Sequence, residues 1–331
     1  MSETAPFNPL RRRAFLAATP ALLLAPRLRA AEAFPSRSVR LIVPFPPGGS
    51  ADPPARILGQ HLSTAWGQPV VVENRSGASG MIGSEAVARA APDGYTLGLG
   101  NILTHALNVA MFRRMSYNPV TDFEPVSLVA ATPHAFVVPA KSPIRSMEDL
   151  ARAVRQGKGE LTFGSPGHGS TPHLIPEMWL QKIGGKAVHV PYRGAAPVVN
   201  DLLAGTLGFA VSTLPGVAAQ AQAGELRLLA VDSDKRQEAF PAVPTLAELG
   251  MGEIAMDVWF AVLAPAGTPR PVVDRIAADI AKAQALPDTA RMLKAAGLEQ
   301  RDLGPDATRE FIREEVKRAV AIGKRVGIEP E

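Results

Sequence analysis

Short apolar segments alternate with helical segments along most of the 331-residue chain, and glycine-rich turns separate them. The first unit runs from a strand-like segment, 39–45, through a glycine loop into an amphipathic stretch, 53–66. Such alternation is typical of an α/β fold. The sequence therefore predicts an α/β chain with mostly parallel strands. It also predicts a helix over 104–112 and a helical C-terminal part, over 271–285, 290–296 and 306–326.

The first 33 residues have the pattern of an export signal. Three consecutive arginines, 11–13, precede an apolar run, 14–25, and an A-x-A cleavage motif follows at 31–33. The order RRAFL at 12–16 resembles the twin-arginine signal. A membrane anchor needs roughly 20 apolar residues, and this run is shorter. We therefore predict that residues 1–33 are a signal peptide removed on export to the periplasm, and that the mature chain does not span a membrane.

Removal of this segment changes what the charge of the chain implies. The whole sequence has 35 Lys and Arg and 31 Asp and Glu residues. Residues 1–33 carry five of the basic and two of the acidic residues, which leaves 30 and 29 in the remainder. A chain so close to neutral lacks the basic field that nucleic-acid binding requires. The sequence has no cysteine, which excludes disulfides, thiolate metal sites and cysteine nucleophiles.

Three loops rich in glycine, serine and threonine each follow a predicted strand and precede a predicted helix. They lie at 48–50, 101–104 and 165–171. In an open α/β sheet, ligands bind at the carboxyl ends of the strands, and helix N-termini bind anions through unpaired N–H groups. The loops therefore favour a small anion, such as a carboxylate, held by amides and hydroxyls. Ordinary turns and helix caps have the same composition, so each loop alone also fits a purely structural role.

Sequence patterns of catalysis and metal binding give little support to an enzyme. No G-x-S-x-G, S-x-x-K, Walker A or G-x-G-x-x-G pattern is present. The proximity of His168 and Ser170 suggests a hydrolase as an alternative, but no third residue that would orient the histidine can be named. His168 and His173 could suggest a metal, yet no carboxylate partner completes a site. We therefore predict no catalytic residue, no cofactor and no metal.

Several separate segments together resemble one protein family. They are VRLIVPFPPGGSAD at 39–52, GQPVVVEN at 67–74, APDGYTL at 91–97, VHVPYRG at 188–194 and LAPAGTP at 263–269. In this order they are similar to the receptors of tripartite tricarboxylate transporters, also called Bug-type solute-binding proteins. The resemblance covers essentially all of the chain after the predicted signal peptide.

The resemblance implies a type II periplasmic-binding-protein fold, in which two α/β lobes are joined by a two-strand hinge and enclose the ligand in a cleft. One lobe would comprise 34–132 and 252–331, and the other 133–251. The implied function is that of a periplasmic receptor. It would capture a small carboxylated metabolite, such as a di- or tricarboxylate, for the membrane permease subunits of a tripartite transporter. A monomer is the simplest expectation, and a ligand sensor for a signalling partner is the alternative.

The resemblance also implies ligand contacts in the three loops and at two further strand ends. The candidates are Pro46, Gly48, Gly49, Ser50 and Asp52, then Asn101, Thr104 and His105, then Ser165, Gly167, His168, Gly169, Ser170 and Thr171, and finally Tyr192, Arg193 and Ser212. Arg193 could pair with a carboxylate in a bidentate manner, or it could be a solvated loop residue. Ser212 and Thr213 stand where many family members have Asp-Asn, which argues against a cationic group on the ligand.

Overall fold

The computed structural model describes residues 1–2, 34–157 and 160–330, so the predicted signal peptide lies outside the described residues. The chain divides into two units, residues 1–36 and residues 37–331, and the elements below all belong to the second. Its strands are β1 (Val39–Val43), β2 (Val70–Asn74), β3 (Thr96–Asn101), β4 (Phe123–Thr132), β5 (His134–Pro139), β6 (Thr162–Ser165), β7 (Val188–Pro191), β8 (Phe209–Thr213), β9 (Leu226–Val231), β10 (Val258–Pro265) and β11 (Glu299–Leu303).

The α-helices fall between these strands or follow them. They are α1 (Asp52–Trp66), α2 (Met81–Ala88), α3 (Asn108–Met111), α4 (Met147–Gln156), α5 (Thr171–Ile183), α6 (Ala195–Ala204), α7 (Ala218–Gln222), α8 (Arg270–Gln284), α9 (Pro287–Ala295) and α10 (Pro305–Arg325). The three predicted C-terminal helices are thereby confirmed. In the part of the chain that the structure describes, we find no helix with the length and apolarity needed to cross a bilayer.

The strands form two sheets, which confirms the predicted α/β class. The first has the order β11-β4-β10-β3-β1-β2, and the second has the order β7-β6-β8-β5-β9. The chain passes from the first sheet to the second between β4 and β5, with Pro133 as the only intervening residue, and returns between β9 and β10. Each sheet therefore has its own helices, and two crossing segments connect them.

The prediction of mostly parallel strands is wrong. β1 is parallel to β2 and β3, and β6 is parallel to β7 and β8. By contrast, β10 is antiparallel to β3 and β4, β11 is antiparallel to β4, and β5 is antiparallel to β8 and β9. Parallel neighbours need a crossover connection over the sheet. The strands β4, β5, β9 and β10 flank the segments that change sheets, and each of the antiparallel pairs above involves at least one of them.

The segment predicted as one helix over 104–112 is irregular. Residues Leu103–Leu107 form a π-helical turn, and only Asn108–Met111 are α-helical. The hydroxyl of Tyr117 donates to the carbonyl of Thr104 at 2.6 Å. The N–H of Asn108 bonds the carbonyl of Leu103, five residues back, and not that of Thr104, four residues back. The Tyr117 hydroxyl thus supplies the Thr104 carbonyl with the donor that an α-helix would have provided.

Candidate functional site

A cavity of about 190 Å³ lies between the two sheets. Its lining comes from both sides of the fold. The first sheet and the segment after β3 provide Asn101, Ile102, Leu103, Leu107 and Val258, and the elements of the second sheet provide His134, Pro166, Ser170, Thr171, Pro172, Ala195, Val198, Val211, Ser212 and Thr213. Most of this lining is apolar, and none of these residues is a lysine or an arginine. An anion bound here would therefore have no lysine or arginine in the lining to pair with.

Asn101 is the polar group that the first sheet contributes to the cavity. It ends β3, and its Oδ1 accepts the backbone N–H of Thr104 at 3.1 Å. The hydroxyl of Thr104 in turn accepts the N–H of Asn101 at 3.1 Å. Thr104 is fully buried, so these two bonds fix the orientation of the Asn101 side chain. Nδ2 of Asn101 has no partner among the described residues, and this leaves its two N–H groups for a ligand.

Helix α5 points its N-terminus at the same cavity. Ser170 is its N-cap and Thr171 its first residue, so the N–H of Thr171 has no acceptor within the helix. The hydroxyl of Ser170 donates to the carbonyl of Gly167 at 2.7 Å. The Ser170 hydroxyl is thus engaged by a carbonyl. A hydrolytic pair of Ser170 with His168 therefore has no support in this hydrogen-bond pattern.

A buried hydroxyl–imidazole–carboxylate chain runs behind this helix end. Thr171 Oγ1 lies 2.9 Å from His134 Nε2, and His134 Nδ1 lies 3.0 Å from Asp232 Oδ2. Because a carboxylate accepts hydrogen bonds, His134 carries a proton on Nδ1 and donates it to Asp232, and its Nε2 shares a hydrogen bond with the Thr171 hydroxyl. Asp232 also accepts the N–H of His134 at 2.5 Å and that of Met256 at 3.3 Å. One carboxylate thereby joins both crossing segments to the cavity wall.

The second sheet adds Ser212 at the end of β8. Ser212 is 4% exposed, and its hydroxyl has no hydrogen-bond partner in the described part of the chain. Together with Asn101 Nδ2 and the Thr171 amide, the cavity therefore presents donors from both sides. This arrangement suits an acidic group attached to a hydrocarbon body, because the remaining wall is apolar.

His134 and Asp232 were not predicted from the sequence. His134 carries no motif, and Asp232 lies 98 positions further along the chain. Only the crossing of the two connecting segments brings them together, and no spacing rule could have indicated it.

Four of the predicted site residues line the cavity, namely Asn101, Ser170, Thr171 and Ser212. In the first loop, Pro46, Gly48, Gly49 and Ser50 are exposed and are not among the residues that line the cavity. Thr104 acts behind Asn101. A role of the loop residues in ligand contact stays a prediction.

Asp52 holds the first loop rather than facing the cavity. Its carboxylate accepts bonds from Arg56 Nε at 2.8 Å, Asn74 Nδ2 at 3.1 Å and the N–H of Gly48 at 3.3 Å. Burial raises the pKa of this carboxyl, but the three donors outweigh burial and keep the pKa below its usual value. Asp52 is therefore an ionised anchor for the turn that precedes α1.

Tyr192 and Arg193 follow β7 and also lie outside the cavity lining. The hydroxyl of Tyr192 donates to Asp201 Oδ2 at 2.5 Å, and this hydrogen bond, together with burial, raises the pKa of Tyr192 to about 12. Arg193 is exposed. Their arrangement fits a loop held to α6 through Asp201.

The remaining predicted residues form the loop between β6 and α5. Ser165 is buried, Gly167 is partly buried and His168 is exposed. Gly169 has a φ of +71°, and a Cβ built on it would lie 1.8 Å from the sulfur of Met111. Glycine adopts this positive φ readily and has no Cβ that would clash with Met111, so no other residue suits this position. Gly169 is therefore a point where the second-sheet side of the cavity packs directly against α3 on the first-sheet side.

His105 is fully buried and lines a small internal pocket with Gly100 and Phe123, separate from the cavity between the two sheets. Burial lowers the pKa of its imidazole from 6.5 to about 3. Between these pH values the unfolded chain binds a proton that the folded chain does not. The contribution of His105 to stability is therefore complete above about pH 6.5 and decreases as the pH falls towards 3.

We expect His105→Leu to unfold with a weaker dependence on pH than the unsubstituted protein. The slopes of the free energy of unfolding against pH should differ by up to about 1.4 kcal/mol per pH unit, which corresponds to the uptake of one proton on unfolding. Urea titrations between about pH 4 and pH 7 measure it as the slope of the free energy of unfolding against pH. Parallel curves for the two proteins would show that the folded state protonates His105 normally.

Comparison with known proteins agrees with this architecture. Residues 55–328 match the model of the family described as the tripartite tricarboxylate transporter family receptor. Protein BugT of Bordetella pertussis is 37% identical over 298 residues, which cover 90% of this chain and 91% of BugT. The chain therefore belongs to the tripartite tricarboxylate transporter receptor family.

Solved structures of similar proteins have the same fold. R. palustris Rpa4515 with adipate superposes with a TM-score of 0.80 at 36% identity, over 90% of this chain and all of that one. MatC from Rhodopseudomonas palustris with bound malate gives a TM-score of 0.75 at 28% identity, over 88% of this chain and all of that one. Both neighbours were solved with a dicarboxylate.

Proposed function

We propose that this protein is a solute-binding receptor that captures an organic acid and delivers it to the membrane permease of a tripartite transporter. The cavity carries the proposal, because it presents neutral donors from both sheets and an otherwise apolar wall. Adipate and malate in the neighbours Rpa4515 and MatC support a dicarboxylate as the ligand class. The apolar lining favours an acid with a short hydrocarbon chain over a heavily hydroxylated one.

The position of the donors suggests how capture would work. Asn101 belongs to the first sheet, whereas Thr171 and Ser212 belong to the second. An acid that contacts all three stabilises the closed arrangement of the two sides over an open one, because its contacts are complete only there. We infer that the lobes are residues 34–132 with 252–331, and 133–251, and the strand composition of the two sheets supports this division. The crossing segments around Pro133 and Asp232 would then be the hinge.

Membership of this family also supports a cellular location for the protein. Receptors of this class act in the periplasm, and we propose that this chain is exported there by the signal peptide predicted at 1–33. Fractionation of cells that express the full chain, followed by N-terminal sequencing, tests both points. A periplasmic protein beginning near Phe34 is expected, and an unprocessed cytoplasmic protein would contradict export.

Isothermal titration calorimetry against a panel of acids tests the binding. We expect adipate and similar aliphatic dicarboxylates to bind, and adipamide, which has the same chain without charge, to fail. Succinate, malate, citrate and glutamate then locate the preferred length and substituents. Tight binding of adipamide, or of amino acids alone, would exclude the proposed ligand class.

The substitution Ser212→Ala should weaken binding of the preferred acid about 10- to 100-fold. It removes one donor to a carboxylate, and hydrogen bonds to charged groups contribute about 1.5–3 kcal/mol. Ser127→Ala is the matched control, because Ser127 is likewise a buried strand serine but does not line the cavity. Equal affinities of the two variants, measured by the same calorimetry, would show that Ser212 makes no contact with the ligand.

A further inference from the structure

Three histidines from the second sheet and its helices lie together at the loop between β6 and α5. His168 belongs to the loop after β6, His173 to the first turn of α5, and His189 to β7. The rings of His173 and His189 stack with centroids 4.0 Å apart, and that of His168 lies 5.3 Å and 4.9 Å from them. One nitrogen from each ring lies within 4.8 Å of the other two.

The parallel register of the sheet explains why these residues meet. His189 pairs with Phe163 on β6, and their rings stack with centroids 4.9 Å apart. The chain then leaves β6, passes through His168, and starts α5, which brings His173 back over the same ring. The sequence alone placed two of the three histidines near each other and gave no sign of the third.

We propose that His168, His173 and His189 bind a divalent transition metal ion of the zinc type. Three imidazoles form a donor set that suits Zn²⁺ and excludes hard cations such as Mg²⁺ and Ca²⁺, which take oxygen ligands. A zinc–nitrogen bond is about 2.0–2.1 Å long, so the three nitrogens must close in on the ion. His168 is exposed and can rotate towards the ion, and the partly buried, stacked rings of His173 and His189 must tilt so that their lone pairs converge on it.

Groups around the histidines resemble the outer shell of a metal site. Ser165 Oγ lies 2.7 Å from Nε2 of His189, and the Ser165 hydroxyl donates to the carbonyl of Gly167 at 3.0 Å. With its proton given to this carbonyl, Ser165 can accept a hydrogen bond from Nε2 of His189, and we assign the ring proton to that nitrogen. This leaves the lone pair of Nδ1 for a metal. Hydrogen bonds of this kind orient ligating imidazoles and fix their tautomer.

A carboxylate also lies next to the site. Glu177 is one helical turn after His173, and its Oε1 lies 3.9 Å from Nε2 of His173. It can serve as an additional ligand or as an acceptor for a ring proton. The sequence argued against a metal site because no carboxylate partner could be named for the histidines. In the structure, Glu177 is such a partner.

Metal binding would also affect the loop that lines the cavity. Nδ1 of His173 accepts the N–H of Gly169 at 3.1 Å. A neutral imidazole that ligates through one nitrogen carries its proton on the other, so either mode of ligation gives up this hydrogen bond. The site thus shares a loop with Ser170 and Thr171, although it needs no bound acid and does not depend on the proposed function.

Calorimetric titration of the metal-free protein with Zn²⁺ tests the site. We expect one ion per chain, no heat with Mg²⁺, and affinity losses of at least about 100-fold in His168→Ala and in His189→Gln. Ser165→Ala should lose about 10-fold, as outer-shell substitutions do. His61→Gln is the control, because His61 lies on α1 away from the cluster and should bind Zn²⁺ like the unsubstituted protein.

The melting temperature gives a second readout that does not depend on heats. Zn²⁺ should raise it in the unsubstituted protein and in His61→Gln, because an ion that binds only the folded state stabilises it. The rise should disappear in His168→Ala, an exposed substitution that leaves the fold intact. Absence of saturable Zn²⁺ binding, or an affinity unchanged in both His168→Ala and His189→Gln, would overturn the proposal.

Discussion

Asp232→Ala should lower the free energy of unfolding by about 3–5 kcal/mol. The carboxylate accepts three hydrogen bonds, from the backbone N–H groups of His134 and Met256 and from the His134 ring. Alanine leaves these donors without an acceptor, and each buried unpaired donor costs about 1–3 kcal/mol. Removal of one partner from a buried polar pair is among the most destabilising single changes.

Thermal unfolding measures this effect. A loss of that size corresponds to a decrease of the melting temperature on the order of 10 °C. Asp234→Ala is the matched control, because Asp234 is 84% exposed and its oxygen lies 3.6 Å from Arg301, a surface pair worth less than about 1 kcal/mol. If both variants melted at the same temperature, the two crossing segments would not depend on the Asp232 carboxylate.

Ala195→Trp should reduce the affinity for the preferred acid by at least about 100-fold. Ala195 is the first residue of α6 and lines the cavity, and it is exposed, so the helix can carry a larger side chain there. An indole is large relative to a cavity of about 190 Å³ and would occupy the space of the ligand. The loss is steric and should affect every acid that binds.

Ala196→Trp is the control for this prediction. Ala196 is also exposed and lies next in the helix, but it does not line the cavity. Both variants should melt within a few degrees of the unsubstituted protein, since exposed substitutions change stability by about 0.5 kcal/mol or less. Calorimetry in which Ala195→Trp bound the acid normally would place the binding site elsewhere on the molecule.

The element order of this protein was largely readable from its sequence. Apolar segments such as β1 and β10 and amphipathic segments such as α1 and α8 have strong periodicity, and their existence and type were predicted correctly. The strand β11 was missed, because its sequence, EQRDL, contains no β-branched or aromatic residue. It is a strand because it pairs with the edge of β4 and packs beside α9, which are tertiary effects.

The directions of the strands and the geometry of the site were harder to predict from the sequence. Local patterns identify a strand but do not identify its neighbour, so the antiparallel pairs around β10 could not be predicted. The glycine loops did indicate strand ends, and two of the three contribute residues to the cavity, through Asn101 and Thr171. The first loop has the same composition, yet it is exposed and held by Asp52. Composition alone does not distinguish a loop that lines the cavity from one that is exposed and held by a neighbouring carboxylate.

The place of β10 within its sheet has a consequence for biosynthesis. This strand comes late in the chain, yet it lies between β4 and β3 and joins the two halves of the sheet. While the ribosome has not yet released it, β3 has one unpaired edge and β4 has two, and such edges invite pairing with other chains. The second sheet takes all its strands from the continuous stretch 134–231, and the segment 232–246 that bonds to it also precedes β10. A nascent chain stalled before residue 258 should therefore hold a folded second sheet beside an aggregation-prone first one.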